Sequence, residues 1–229
     1  MCAHRGCSEG GLRENTLDAF AEARRLGADG VELDVRLTRD GALAIHHDAE
    51  ISGVGLIPDL GVAELPEYVP LLADVLAVCE GMTVNVEIKN SPADPGWDAS
   101  ELVAGLTAEA IDAAGWTEGV IVSSFEPATL RAVQVADARL ALGALWGFRV
   151  LSRADLEEAA GAGFGAVHPF VLSVTPEIVR EAHALGLAVN TWTVNGPDEL
   201  RAMAELGVDT VITDVPSLAL EIVSSLEQA

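Results

Sequence analysis

Five times between Gly119 and Thr213 the chain repeats one cadence. A helix-forming stretch ends near a glycine, a short apolar run follows, and a polar or aromatic residue stands where the run ends. The runs are Gly119 to Ser123, Leu140 to Leu145, Gly165 to His168, Leu187 to Thr193 and Val208 to Thr213. Strands that alternate with helices pair in parallel, because the helix carries the chain back across the sheet. Leu26-Gly27, Leu185-Gly186 and Leu206-Gly207 echo one another, as repeated βα units would. Met1 to His4, Val31 to Val35, Ala42 to His46 and Thr83 to Ile88 bring the strand-like runs to nine. Eight of them close a (β/α)8 TIM barrel if Ala42 to His46, which follows the tight-turn signal Arg39-Asp40-Gly41, is an excursion paired to the second strand. An α/β barrel of this kind accounts for all of residues 1–229 as one domain, and the short, Gly- and Pro-broken stretch 49–69 leaves no room for a large inserted subdomain. The alternative is an open doubly wound sheet, but no G-x-G-x-x-G follows the first strand.

Charge narrows the partners. Against 36 Asp and Glu stand 13 Lys and Arg, a net charge of −23. Such a surface repels nucleic acid and anionic lipid, so neither a nucleic acid nor a stable membrane association is expected. An anionic substrate needs a local positive site working against that field. Cys2, Cys7 and Cys79 are odd in number and lack zinc spacing, which suits a reducing compartment. No apolar run is long enough to span a membrane, and the N-terminal residues have no leader pattern, so the expectation is a cytoplasmic protein. Nothing in the pattern sets an oligomeric state.

Within Val31-Glu32-Leu33-Asp34-Val35, alternation puts Glu32 and Asp34 on one face and the apolar residues on the other. Taken alone, the pair reads equally as two solvated acids on an exposed edge. Inside a barrel, two adjacent carboxylates repel and lose hydration, and a hard cation relieves both costs. Glu87 and Lys89 repeat the two-residue spacing on another strand. Nearly every unusual polar residue stands at a strand's C-terminal end: His4, Arg5, Glu32, Asp34, Glu87, Lys89, Ser124, His168, Trp192 and Asp214. Those ends converge on the face where barrel enzymes place their sites. Three carboxylates from neighbouring strands make an all-oxygen set for one divalent cation, Mg2+ or Ca2+ rather than zinc. Arg5 and Lys89 beside it suit a phosphoryl group. His4 and His47 supply the two side chains best matched to taking a proton from a nucleophile and giving one to a leaving alcohol near neutral pH.

These residues fall in an ordered series: H-R-G at His4 to Gly6, E-N-T at Glu14 to Thr16, Glu32 and Asp34, Asp40-Gly41, His47-Asp48, E-I-K at Glu87 to Lys89, S-S-F at Ser123 to Phe125, W-T-V-N at Trp192 to Asn195, and I-T-D-x-P at Ile212 to Pro216. The series resembles the glycerophosphodiester phosphodiesterase family of metal-dependent (β/α)8 barrels, and the match covers the chain. That resemblance implies a small-molecule phosphodiester as substrate, cleaved to glycerol 3-phosphate and an alcohol. It implies Glu32, Asp34 and Glu87 as metal ligands, His4 and His47 as the acid/base pair, Arg5 and Lys89 as phosphate-binding cations, and Trp192 as a wall of the substrate pocket. Glu14 orders the first loop and approaches the metal in the same picture.

The sequence departs from the family after His47-Asp48, where the usual R-T-T segment is replaced by Ala49 to Val54. Two other readings therefore stay in view. One is a lysophospholipid or inositol phosphodiesterase using the same site, with Ile51, Val54, Leu56 and Ile57 either as an apolar ramp or as plain loop packing. The other is a barrel that binds a phosphodiester without cleaving it. Of the remaining candidates, His46 is expected to point away from His47. His168 either lines the pocket or is structural, and His183 is a solvated helix residue. Asp214 either caps the last helix or faces the site. Ser124 lacks a nucleophile elbow.

Overall fold

Alternation of buried side chains explains the sheet. In the computed structural model, described over residues 1–227, the strands in chain order are β1 (Cys2–Ala3), β2 (Gly30–Leu37), β3 (Leu43–Ile45), β4 (Glu50–Ile51), β5 (Gly55–Leu56), β6 (Thr83–Ile88), β7 (Val120–Ser124), β8 (Ala141–Trp146), β9 (Ala166–Pro169), β10 (Ala188–Thr191) and β11 (Thr210–Thr213). The helices are α1 (Leu17–Leu26), α2 (Leu72–Val78), α3 (Leu102–Ala113), α4 (Pro127–Ala136), α5 (Arg153–Gly161), α6 (Pro176–Ala184), α7 (Pro197–Leu206) and α8 (Pro216–Glu227). Strand β1 pairs in parallel with both β11 and β2, which closes an eight-stranded parallel barrel with helices between its strands. Strand β3 lies antiparallel on the end of β2, with Val35 opposite Ile45 and Leu37 opposite Leu43. The ninth run is thus the excursion its turn signal implies, and the fold is a (β/α)8 barrel.

Val31, Leu33 and Val35 of β2 and Val84, Val86 and Ile88 of β6 pack outward under the helices, in one continuous apolar core with Phe20, Leu76, Ile111 and Leu130. The opposite faces of the same strands carry Glu32, Asp34, Asn85 and Glu87, all buried. A polar interior is unusual for a barrel core, where branched apolar residues dominate, and it marks where the chemistry lies. Gly30 is required at the base, where a Cβ would stand 2.7 Å from the carbonyl oxygen of Thr83.

The stretch 49–69 folds as the β4–β5 hairpin and two 3-10 turns, without a subdomain. Ile51 and Ile57 are buried there with Ala44 and Val69 in a small cluster and so are loop packing, while Val54 is exposed and Leu56 half-buried. Helix α3 starts later than Ser100: the side chain of Asp98 accepts from the backbone of Leu102 at 2.6 Å and so caps it, while Ser100 donates to Asp98. Strand β10 ends at Thr191, before Trp192. No helix among the described residues is long and apolar enough to cross a membrane.

Candidate active site

Register sets the centre of the site. Asp34 and Glu87 are paired neighbours on β2 and β6, and Glu32 lies one inward position below Asp34. One oxygen from each of Glu32, Asp34 and Glu87 lies within 4.8 Å of the others, and all three residues are buried. Burial and the neighbouring charge of Asp34 push the Glu32 carboxyl up to about 8. Burial also pushes Asp34 upward, but Lys89 and Arg5 overcome it and hold that carboxyl below the usual range. Lys89, the only lysine in the sequence, places Nζ 3.0 Å from Asp34 Oδ1 and 2.5 Å from Glu87 Oε1. Glu32 Oε1 is buried without a hydrogen-bond partner. A buried carboxylate oxygen left unmatched in a set of oxygen donors fits a hard divalent cation.

The loop after β1 explains its glycine. Arg5 adopts φ 54°, and its N–H donates to Glu32 Oε2 at 3.0 Å. At Gly6, φ is 81° and a Cβ would stand 2.8 Å from the backbone of Ala19, so only glycine lets α1 abut the turn. Arg5 Nη1 donates to Glu14 Oε1 at 2.9 Å and its Nε lies 3.3 Å from Asp34 Oδ2. Glu14 therefore orders Arg5 and stands outside the carboxylate cluster. Thr16 is the cap of α1, accepting from Ala19 N, while Asn15 turns inward and donates from Nδ2 to Asp34 Oδ2 at 2.7 Å.

The two histidines are held alike. His4 Nδ1 donates to Asp214 Oδ1 at 2.6 Å, and His47 Nδ1 donates to Asp48 Oδ1 at 2.7 Å. Each bond fixes the tautomer and leaves Nε2 for other work. His4 Nε2 lies 3.8 Å from Glu32 Oε2. Burial pushes His4 down, yet the Asp214 bond and the charge of Glu32 leave it above its ordinary value; burial leaves His47 below. Asp214 thus faces the site, and the first turn of α8 is met by Glu9, which accepts from Ser217 N. The other oxygen of Asp214 accepts from Asn195 Nδ2 at 2.7 Å.

His4, Arg5, Glu32, His47, Glu87 and Lys89 line one cavity of about 390 Å³. Phe125, Leu145, Phe148 and Trp192 form its other wall. Trp192 Nε1 donates to the carbonyl of His168, and its ring meets Phe125 and Phe170 edge-on at 5.6 and 5.4 Å. Phe148 meets Phe170 at 4.7 Å and is 84% exposed; Leu172, after Phe170, is 75% exposed. Phe125 falls in the S-S-F motif, whereas Phe148 and Phe170 carry no recognisable signal in the sequence, because the loops that hold them are irregular. His46 is not part of this wall; its Nδ1 lies 2.9 Å from the carbonyl of Asp48. His168 lines a separate cavity of about 210 Å³ at the barrel base, with Asn85, Asn190 and Cys2. His183 pairs with Asp209 at the surface, and Ser124 Oγ donates to the carbonyl of Ile88.

Comparison with known proteins bears on the family and the fold. The family model of the glycerophosphoryl diester phosphodiesterase family matches residues 4–218. A glycerophosphodiester phosphodiesterase of Caldanaerobacter subterraneus subsp. tengcongensis is 31% identical over 97% of both chains. The crystal structure of a glycerophosphodiester phosphodiesterase from Parabacteroides distasonis superposes with a TM-score of 0.87 at 26% identity, covering 99% of this chain and 97% of the other. A phosphodiesterase of Oleispira antarctica, solved with the product sn-glycerol-3-phosphate, has a TM-score of 0.86 at 24% identity and covers 97% of this chain and 96% of its own.

Proposed function

The chain belongs to the glycerophosphoryl diester phosphodiesterase family, a family of phosphoric diester hydrolases, and on that footing we propose that it cleaves glycerophosphodiesters to glycerol 3-phosphate and an alcohol by metal-dependent histidine acid/base catalysis. The observation that carries this reading is one cavity lined by two carboxylate-tethered histidines, two cations and the carboxylate cluster.

Glu32, Asp34 and Glu87 hold one divalent cation, Mg2+ or Ca2+. When bound, the ion supplies positive charge for a non-bridging phosphate oxygen. Arg5 and Lys89 draw the anionic substrate into a strongly acidic protein and stabilise charge that grows on the phosphoryl group. One histidine takes a proton from the nucleophile through Nε2 while the other gives one to the leaving alcohol. Trp192 walls the cavity. Three unpaired, buried cysteines support a cytoplasmic setting.

The first test is release of sn-glycerol 3-phosphate from glycerophosphocholine and glycerophosphoethanolamine after EDTA treatment, with Mg2+, Ca2+ or Mn2+ then restored. Cation-dependent release is expected. His4→Ala and His47→Ala each abolish it with the fold intact, and near-normal turnover in either variant removes the mechanism.

The apolar wall favours a second reading of the substrate. Phe125, Phe148 and Trp192 continue from the cavity to the exposed rim, where an acyl chain would lie, so a lysophospholipid is the alternative substrate.

A further inference from the structure

We propose that Arg36 is a positioning residue for His47, a role that rests on the reading of His47 as a proton-transfer group. Arg36 stands on β2 two residues beyond Asp34 and on the same strand face. It is 6% exposed. Its Nε donates to the carbonyl oxygen of His47 at 2.8 Å, and its Nη2 lies 2.9 Å from Asp94 Oδ2. Arg36 does not line the cavity that holds His4, Glu32 and Lys89; it lines an adjoining open cleft with His47, Asp48 and Asp94, and both its bonds go to protein acceptors, so its role runs through the histidine.

The guanidinium joins three segments: the strand that bears Glu32 and Asp34, the stretch that bears His47, and the loop after Glu87 and Lys89. That loop is itself fixed. Asn90 Nδ2 donates to the carbonyl of Asp98 at 2.9 Å and to Glu101 Oε2 at 2.8 Å, and Asp98 N donates back to Asn90 Oδ1 at 2.7 Å. Asp94 is thereby a firm counter-ion for Arg36.

His47 needs such an anchor more than His4 does. The backbone N–H of His4 donates to the carbonyl of Thr213 at 2.9 Å, and its carboxylate partner, Asp214, is gripped by Asn195. The partner of His47, Asp48, has a side chain 73% exposed, and a hydrogen bond in water holds a ring loosely. Among the described residues, the bond from Arg36 is the only hydrogen bond that reaches the His47 backbone. A planar guanidinium serves two acceptors in two directions from a fixed fork, which an ammonium cannot copy.

The test compares Arg36→Lys, Arg36→Met and Asp94→Asn with wild type and His47→Ala. It measures kcat and KM on glycerophosphocholine, melting temperature, and the His47 and His4 ring proton resonances. Misplacement of a catalytic group by about an ångström costs on the order of 100-fold. Arg36→Met and Arg36→Lys are therefore expected to lose kcat on the order of 10- to 100-fold with KM nearly unchanged. The His47 resonance moves while that of His4 stays, and added methylguanidine restores part of the rate to Arg36→Met. Asp94→Asn shows the same pattern more weakly, and with Arg36→Lys it carries the test if Arg36→Met does not fold. Wild-type kcat and an unmoved His47 resonance in a folded Arg36 variant overturn the inference while leaving the reading of His47 in place. Full activity of His47→Ala overturns both.

Discussion

Asn195 grips Asp214 at two points: its amide nitrogen donates to Asp214 Oδ2 at 2.7 Å, and its amide oxygen accepts the Asp214 N–H at 2.9 Å. Thr213 Oγ1 donates to the same amide oxygen at 3.2 Å. The second carboxylate oxygen of Asp214 is thus aimed at His4 Nδ1. A carboxylate that fixes an imidazole's tautomer contributes strongly to turnover without touching substrate. Asp214→Ala is expected to lower kcat on the order of 100-fold, and Asn195→Ala by roughly 10-fold, with little change in KM. Steady-state kinetics on glycerophosphocholine check both, and a normal kcat in Asp214→Ala would mean that His4 needs no such aiming.

The carboxylate cluster is a cost to the metal-free fold. Removing one of three buried acids that repel one another stabilises what remains. Glu32→Gln is therefore expected to melt a few degrees above wild type in EDTA, roughly 1 kcal/mol for a chain of this size. Wild type gains melting temperature when Mg2+ or Ca2+ is added, by about 2.7 kcal/mol at a hundredfold excess over the dissociation constant, and Glu32→Gln loses most of that gain. A melting scan with and without cation decides; equal cation-induced shifts in the two proteins remove Glu32 from the ligand set.

His168 makes acid stability legible at one residue. It is fully buried, and burial pushes it down to about 3 from an ordinary 6.5. Below about pH 6.5 the unfolded chain binds a proton at this position that the folded chain refuses. Stability therefore falls with pH between about 6.5 and 3, by about 1.4 kcal/mol per pH unit, and the histidine adds no pH dependence above that window. His168→Gln should flatten the slope by that amount in urea unfolding measured from pH 7.5 to 5. An unchanged slope would show that the imidazole is protonated in the folded state.

The imidazole of His168 also explains Gly143 on the neighbouring strand. A Cβ there would stand 2.3 Å from His168 Nε2. Gly143→Ala is expected to destabilise by about 1–3 kcal/mol through overpacking. Calorimetry on Gly143→Ala and on the double variant with His168→Ala checks the cause, because the second change should return most of the loss.

Phe148 offers the sharpest test of the apolar rim. Phe148→Ala should raise KM several-fold for a short-chain lysophosphatidylcholine and leave glycerophosphocholine unaffected, as loss of a large apolar contact implies. Parallel kinetics on the two substrates decide; an equal effect on both makes the ring a general wall of the cavity.

The barrel was legible because its signals are local. Glu32 and Asp34 announce their shared face through strand parity, and Arg39-Asp40-Gly41 announces the turn into β3. What sequence spacing does not convey is closure. His4 and Asp214 are 210 residues apart, and only the pairing of β1 with β11 brings them into contact. Arg36 reads as one more inward residue on β2, since its two acceptors arrive from loops without periodicity. Asn15 sits where a helix cap belongs, and the neighbouring Thr16 takes that role, freeing Asn15 for Asp34. At α3 the cap is Asp98 and not the nearer Ser100, because side-chain reach across a loop outweighs adjacency to the helix.

Lys89, the single lysine of the sequence, lies against Asp34 and Glu87 at the floor of the cavity. The remaining side-chain cations outside the histidines are all guanidinium. Acylating, glycating and cross-linking reagents that seek lysine side chains therefore find no ε-amine on the outer surface. Such reagents also need the neutral amine, and the two carboxylates that raise Lys89 above its ordinary value hold it as ammonium, so primary-amine chemistry leaves the floor of the cavity unmodified.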